Sequence, residues 1–144
     1  MDLLKTFNNL FDLSYLDGKP KEPERSIEQE LEGRCRSIAE EITDGLKNCD
    51  PDIFNRWHDE GQPEDFQPDA WDYIEDMLDI NYVVGRDREY LGAQITVGWG
   101  GPNIYIHTRS CTVKGYWGSD QAQWGYVDSI GLDDVCEELY NNIW

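Results

Sequence analysis

The chain has 144 residues, and its 30 acidic and 12 basic residues give it a formal net charge of −18 at pH 7. Contacts with phosphate need Lys and Arg, so this balance argues against direct binding of nucleic acid and against an anionic membrane surface. Hydrophobic residues still make up 39% of the chain and aromatic residues 12%, which predicts a single domain over residues 1–144 with a packed core.

The size of the negative charge indicates a role in binding. Solubility of a small domain requires a net charge of only about 2–8 in magnitude. A larger charge destabilises the compact state through self-repulsion. We therefore expect the excess to serve recognition of another macromolecule.

The cysteines and histidines do not form a metal-binding pattern. Cys35, Cys49, Cys111 and Cys136 include no pair spaced as CxxC, and the chain has only two histidines. We therefore expect no metal and no cofactor. The first residues lack the regions of a secretory signal, and no run approaches the ~18 apolar residues of a membrane span. The predicted location is the cytoplasm, with reduced thiols.

The first 25 residues predict a short helix and a linker. Apolar residues recur there at helical spacing: Leu3, Leu4, Phe7, Leu10 and Phe11. Gly18, Pro20 and Pro23 then mark a turn or linker that separates this helix from the rest. The helix either packs on the core or docks on a partner or a second copy. A homodimer through residues 3–11 is thus one of the alternatives.

Residues 26–80 predict an acidic helical segment. Ser26 and Gln29 have the spacing of a capping box, which places the start of a helix there. Apolar residues at helical spacing carry this helix to about residue 47: Ile27, Leu31, Ile38, Ile42 and Leu46. The other sides of the helix are rich in Glu and Asp.

Two further helices are predicted before residue 80. Asp50 and Pro51 suit the cap and the first position of a short helix. Residues 61–68 have the composition of a loop. Residues 69–78 then predict a helix whose inward side is formed by Trp71, Ile74 and Leu78.

Residues 81–128 predict a sheet. Short β-type runs at residues 80–84, 90–99, 104–106 and 111–117 are separated by short turn segments. These connections predict an antiparallel meander of three to four strands, with Tyr126 and Val127 as a short extra strand. Residues 129–144 predict a C-terminal helix with one apolar side: Leu132, Val135, Cys136, Leu139, Tyr140 and Ile143. N-terminal helices followed by strands and a final helix give an α+β class.

Most of the negative charge falls in the helical segment. Residues 26–80 hold seventeen acids and four bases, a net charge of −13; residues 81–144 hold eight acids and four bases, a net charge of −4. Carboxylates along a helix that rises about 1.5 Å per residue can imitate duplex DNA, which has one charge per about 1.7 Å. The alternative is a solvated acidic surface. We predict a partner-binding surface formed by Glu28, Glu32, Glu40, Glu41, Asp44, Asp59, Glu60, Glu64, Asp65, Asp69, Asp72, Glu75, Asp76 and Asp79.

Catalytic chemistry has weak support, and we predict that the protein is not an enzyme. Carboxylates are so abundant that acid pairs can be drawn almost anywhere, and none stands in an apolar setting that would tune its pKa. Cys111 and His107 could form a nucleophilic pair in a cleft, but a buried thiol and a solvent-facing imidazole are the favoured interpretation. The glycine-rich run at residues 98–103 precedes no helix, which favours a hairpin turn over a phosphate-binding loop.

The sheet segment and the final helix resemble a class of known proteins. The residues that carry the resemblance are 91–97 (LGAQITV), 100–106 (GGPNIYI) and 113–118 (VKGYWG), followed by the short acidic helix. They are similar to small acidic proteins of phages and mobile elements, of the anti-CRISPR or antirestriction type. The resemblance covers roughly the last 65 residues and carries over no functional residue.

Charge and resemblance together give the functional hypothesis. The expected activity is inhibition of a host defence nuclease, such as a CRISPR effector, in the cytoplasm of a bacterial host. The partner would be a protein whose basic nucleic-acid-binding channel accepts the acidic surface. Two alternatives remain: an immunity protein or antitoxin that neutralises a basic toxin, and a small-ligand-binding module built on the aromatic sheet.

Overall fold

A five-stranded antiparallel sheet forms the centre of the computed structural model, which describes residues 26–47 and 68–143. Each strand pairs with the next along the chain. The strands are β1 (Asp79–Val84), β2 (Tyr90–Gly98), β3 (Asn103–His107), β4 (Thr112–Trp117) and β5 (Asp120–Gly125). The α+β class and the meander are therefore confirmed.

The strand count of three to four was too low. The fifth strand, β5, has only Ala122 and Trp124 as apolar residues on its inner face. Its polar sequence therefore lacks the strong alternation that identified the other strands. Tyr126 and Val127, expected to form the extra strand, instead follow β5 in an irregular segment, and Tyr126 is buried.

The two faces of the sheet differ in character. A row of apolar side chains crosses all five strands on the inner face: Ile80, Ile95, Ile106, Val113 and Trp124. Polar and aromatic residues occupy the outer face, where the Tyr105 and Tyr116 rings lie 6.0 Å apart. All three helices of the described ranges pack on the inner face, so the core lies between them and the sheet.

The long helix α1 (Ile27–Thr43) covers β4 and β5. Ser26 and Gln29 form the predicted capping box at its start. Leu31, Cys35, Ala39 and Ile42 are buried beneath it. The helix lies so close to the sheet that a Cβ added at Gly115 would be 2.7 Å from Leu31 Cδ1. Glycine in β4 therefore sets the distance between helix and sheet.

The short helix α2 (Ala70–Glu75) is shorter than the predicted helix over residues 69–78. Asp69 and Asp72 form a reciprocal capping box at its start. Tyr73 and Ile74 are buried, but Trp71 and Leu78 are 41% and 52% exposed, so the prediction that they face inward was wrong. The chain leaves the helix at Asp76 to enter β1, which turns Leu78 out of the helical register.

The C-terminal helix α3 (Leu132–Asn141) packs on β2 and contacts α2. Asp128 caps its start, because its two carboxylate oxygens accept hydrogen bonds from the backbone N–H groups of Leu132 and Asp133 at 2.8 and 3.0 Å. Leu132, Val135, Cys136 and Tyr140 are buried as predicted, whereas Ile143 is exposed because the helix has ended. No helix within the described ranges is long and apolar enough to cross a membrane.

Four predictions of structural elements fall on residues outside the described ranges. They are the helix over residues 3–11 with its homodimer alternative, the linker marked by Gly18, Pro20 and Pro23, the helix starting at Asp50 and Pro51, and the loop over residues 61–68, of which only residue 68 is described. Asp79 was assigned to the helical segment, but it is the first residue of β1. This places it at the edge of the sheet that follows α2.

Candidate acidic interface

The carboxylates of α1 lie on a helix face that also carries arginine. Glu28, Glu32, Glu40 and Asp44 are exposed, and Glu41 is half-buried. Arg36 donates a 2.8 Å hydrogen bond from Nε to Oε1 of Glu40, one helical turn further on. The α1 surface is therefore mixed in charge, although the sequence prediction placed five of its fourteen binding residues there.

Both arginines of α1 also contact tryptophans of the sheet. The guanidinium carbon of Arg36 lies 5.2 Å from the centre of the Trp124 ring, and that of Arg34 lies 6.0 Å from the Trp117 ring. Arg34 is in addition 3.5 Å from a carboxylate oxygen of Glu30. These contacts attach the cations to the fold. The arginines therefore reduce the negative potential of this helix.

At the start of α2 two carboxylates accept hydrogen bonds from backbone N–H groups. Asp69 accepts a 3.0 Å hydrogen bond from the N–H of Asp72, and Asp72 accepts one of 3.0 Å from the N–H of Asp69. Partial burial, followed by the proximity of Asp69, raises the pKa of the Asp72 carboxyl. These two predicted binding residues are thus helix caps whose replacement would disturb α2.

The other end of α2 carries three more carboxylates, of which Asp76 is the C-cap residue of the helix and Asp79 accepts a 2.9 Å hydrogen bond from the N–H of Ile80. Glu75, Asp76 and Asp79 are exposed. Residues 69–79 contain five acids and no Lys or Arg. This stretch therefore differs from α1, where Arg34 and Arg36 lie between the acids.

Helix α3 supplies four carboxylates that the sequence prediction left out. Asp133 is half-buried and accepts a 2.7 Å hydrogen bond from the Tyr90 hydroxyl. Asp134, Glu137 and Glu138 are exposed. Positions 134, 137 and 138 share one helical face, because they are spaced by three and four residues. The predicted apolar side of this helix already implied an acidic opposite side, which was the available signal.

The contact between α2 and α3 unites two base-free acidic segments. We call the carboxylates of these segments the α2–α3 acidic surface: Asp69, Asp72, Glu75, Asp76, Asp79, Asp133, Asp134, Glu137 and Glu138. No basic residue occurs in the last turn of any of the three described helices. Cations at that position would stabilise a helix. Acids at the start of α2 and α3 stabilise these helices, whereas Glu137 and Glu138 near the end of α3 do not.

Like charges within α3 support the same conclusion. Asp133 and Glu137 are four residues apart, as are Asp134 and Glu138. Like-charge pairs at this spacing destabilise a helix by about 0.2–0.5 kcal/mol each. The buried apolar side of α3 and the Asp128 cap offset this repulsion.

Four predicted binding residues, Asp59, Glu60, Glu64 and Asp65, lie outside the described residues. The remaining ten are divided by the fold. Those of α1 lie over β4 and β5, beside arginines, whereas those of residues 69–79 adjoin α3. The sequence treated residues 26–80 as one surface because it could not show which helices are neighbours.

The residues considered for catalysis have the pKa shifts of a structural site. Burial raises the pKa of the Cys111 thiol, whereas a nucleophilic cysteine needs a lowered pKa. Burial and the nearby Lys114 lower the pKa of His107. Cys111 was expected to be buried but is half-buried, with a φ of 51° in the turn before β4. No group of three or more metal-ligating side chains occurs among the described residues.

Comparisons with known proteins give no neighbour for this chain. No family model, no curated protein and no solved structure matches it. The resemblance to phage proteins therefore stays a prediction, and arguments about function rest on the residues themselves.

Proposed function

We propose that the protein is an inhibitor that binds the basic nucleic-acid channel of another protein through the α2–α3 acidic surface. The class of partner is a nuclease of a host defence system, such as a CRISPR effector. The carboxylates would occupy positions that phosphates of DNA or RNA take in that channel. The protein acts by occupancy and needs no chemistry of its own.

The observation that carries this proposal is the absence of bases from two neighbouring helical segments. Nine carboxylates lie in residues 69–79 and 133–138, with no Lys or Arg among them. Charges of one sign on one surface raise the association rate with an oppositely charged partner. The arginine-bearing helix α1 would contribute less to this attraction.

Helix stability explains the acids at the start of α2 and α3 but not Glu137 and Glu138, which favours a functional origin for these two. Glu138 lies in the last turn of α3, where the helix dipole disfavours a negative charge. It also lies four residues after Asp134, a second unfavourable interaction. Binding a basic partner would convert both into favourable contacts with the partner's cations.

A nuclease assay tests the proposal. DNA cleavage by an RNA-guided nuclease and by a type I restriction enzyme is measured with increasing amounts of the protein, at about 50 and 200 mM salt. We expect at least one enzyme to be inhibited, with less inhibition at the higher salt because ions screen the attraction. Inhibition that does not change with salt would contradict the electrostatic mechanism.

Charge-reversal variants show whether the α2–α3 acidic surface is responsible. Glu137→Lys with Glu138→Lys removes exposed acids that serve no cap, and we expect the concentration for half-inhibition to rise at least about tenfold, as for a lost interface hot spot. Asp120→Lys is the matched control for Glu138→Lys alone, because each replaces one acid by one base and Asp120 begins the strand at the opposite edge of the sheet. Equal effects of these two single changes would point to net charge alone.

An immunity protein that neutralises a basic toxin follows from the same charge pattern. It predicts the same response to salt and to charge reversal. The two functions differ in which enzyme is inhibited. Inhibition of a co-expressed toxic nuclease, without any effect on the defence nucleases, would favour the immunity protein.

A further inference from the structure

A groove of about 520 Å³ lies between α1, α2 and the turn that joins β2 to β3. One wall is a stripe of α1 at helical spacing: Arg34, Ser37, Ile38 and Glu41. The floor is apolar and includes Tyr73, Val97 and Ile104. The volume falls in the range of about 300–1,000 Å³ that is typical of ligand sites.

The second wall of the groove is held in place by its own contacts. The N–H of Gly100 donates a 2.9 Å hydrogen bond to the side-chain oxygen of Asn103, which closes the turn. Gly101, with a φ of 111°, lies against the Trp117 ring, and a Cβ there would be 3.4 Å from Trp117 Nε1. Pro102 is buried in the same wall. The groove is therefore preformed rather than dependent on a ligand.

Trp99 is the most exposed large aromatic side chain of the groove wall. It is 58% exposed although the inner face of the sheet is close by. Trp and Arg are among the side chains most enriched at interface hot spots, and the groove presents Trp99 and Arg34, whereas Tyr73 is buried beneath it. An aromatic or long aliphatic side chain would be buried there against apolar atoms.

The charged residues beside the groove indicate what charge a partner segment should carry. Glu41 lies in the α1 wall, and Asp76 precedes Met77, which also lines the groove. Arg34, the basic residue in the lining, is already paired with Glu30 and stacked on Trp117. An apolar group flanked by positive charge is thus complementary to the groove and its surroundings.

We propose that this groove binds a polypeptide segment of the partner that carries an apolar anchor side chain flanked by Lys or Arg. This inference rests on the proposed function, since it names the segment of a basic partner that docks beside the α2–α3 acidic surface. The anchor enters between α1 and the β2–β3 turn, and the flanking cations face Glu41 and the acids at the end of α2. The groove supplies specificity, and the carboxylates supply attraction.

A random peptide library displayed on phage tests this inference with a defined probe. The full chain is immobilised, and selected peptides are synthesised for affinity measurement. We expect a consensus of one aromatic or long aliphatic residue with neighbouring Lys or Arg. Ser37→Trp fills the groove from an exposed helix position, and we expect it to weaken peptide binding at least about tenfold.

Ser110→Trp is the matched control, because it makes the same change at an exposed position of the β3–β4 turn, at the opposite end of β3 from the β2–β3 turn. Thermal unfolding establishes that both variants fold. Peptides that lack Lys and Arg, peptides that bind Ser37→Trp as tightly as the parent, or no consensus at all would overturn the inference.

The nuclease assay separates failure of this inference from failure of the proposed function. Loss of peptide binding in Ser37→Trp together with absent nuclease inhibition by the parent would retain the groove and reject the function. If inhibition depends on salt, is unchanged in Ser37→Trp, and no peptide consensus is found, the proposed function is retained and the groove inference is rejected.

Discussion

The hydroxyl of Tyr90 donates a 2.7 Å hydrogen bond to Oδ1 of Asp133, which joins β2 to the first turn of α3. This contact divides the acids of α3 by role. Asp133 is held by the fold, whereas Glu137 and Glu138 face solvent. Replacing Asp133 therefore tests the stability of the fold, whereas replacing Glu137 or Glu138 tests binding.

Replacing Tyr90 by Phe tests the structural role of this pair. The Tyr90 ring is half-buried and also lies 5.8 Å from the Tyr140 ring, so the ring contacts would be kept while the hydroxyl is lost. We expect the free energy of unfolding to fall by about 1.5–3 kcal/mol, the range for a hydrogen bond to a charged group. Urea unfolding gives this value. Nuclease inhibition by the folded variant should match the parent, and a large loss of inhibition would show that the pair takes part in binding.

Gly115 tests the packing of α1 on the sheet. In Gly115→Ala the new Cβ would lie 2.7 Å from Leu31 Cδ1 and 2.9 Å from Cys35 Sγ, so these buried side chains or the helix that carries them must shift. Overpacking of this kind costs about 1–3 kcal/mol. Gly33→Ala is the matched control, since nothing lies within 4 Å of its Cβ and alanine favours a helix by about 1 kcal/mol. Opposite shifts in urea midpoint are expected, and a stabilised Gly115→Ala would contradict the packing.

Sequence patterns predicted the individual helices and strands better than they predicted which of these elements pack against each other. Ser26 and Gln29 located the start of α1, and alternation located β1 to β4, because these signals are local. Polar β5 was missed because its inner face depends on the cover of α1 rather than on its own hydrophobicity. Leu78 was assigned to a helix for its spacing, but the start of β1 removes it from that helix.

The site was only partly predictable for the same reason. Counting charge along the chain placed the acid excess in residues 26–80, yet it could not show that Arg36 pairs with Glu40. Residues 69–79 also lie more than fifty positions before α3 in the sequence, although α2 and α3 are in contact in the fold. Contacts between distant segments determine the α2–α3 acidic surface, and one sequence carries little information about them.

The core thiols give a prediction about reactivity. Burial raises the pKa of Cys35 to about 11 and that of Cys136 to about 12 from an ordinary value of 9.0, and both side chains are fully buried. We expect iodoacetamide at pH 8 to modify Cys111, which is half-buried, well before either of them. Mass spectrometry of tryptic peptides measures each rate. Equal rates in the folded protein would show that the core opens readily.

The same thiols predict loss of stability at high pH. Their folded pKa values lie above the unfolded value, so the folded state holds its protons more tightly. Their contribution is fully present below pH 9 and falls as the pH rises toward 11 and 12. Unfolding free energies measured from pH 8 to 10.5 should decrease, and Cys136→Ala should lessen the decrease. An unchanged slope in that variant would contradict the assignment.

Charge reversal at Glu138 of the α2–α3 acidic surface should raise the stability of the protein while it weakens nuclease inhibition. Glu138→Lys removes a negative charge from the last turn of α3 and converts its pair with Asp134 into an attractive one. We expect a gain of about 0.5–1.5 kcal/mol in unfolding free energy from these two effects. A fall in stability would indicate that Glu138 has a structural partner in the fold.

The most direct test of the central claim is nuclease inhibition by Glu138→Lys combined with Glu137→Lys, measured against the parent at low salt. The account predicts a protein at least as stable as the parent that needs about tenfold more to reach half-inhibition. Inhibition equal to that of the parent by this folded variant would contradict the claim that the α2–α3 acidic surface binds the partner.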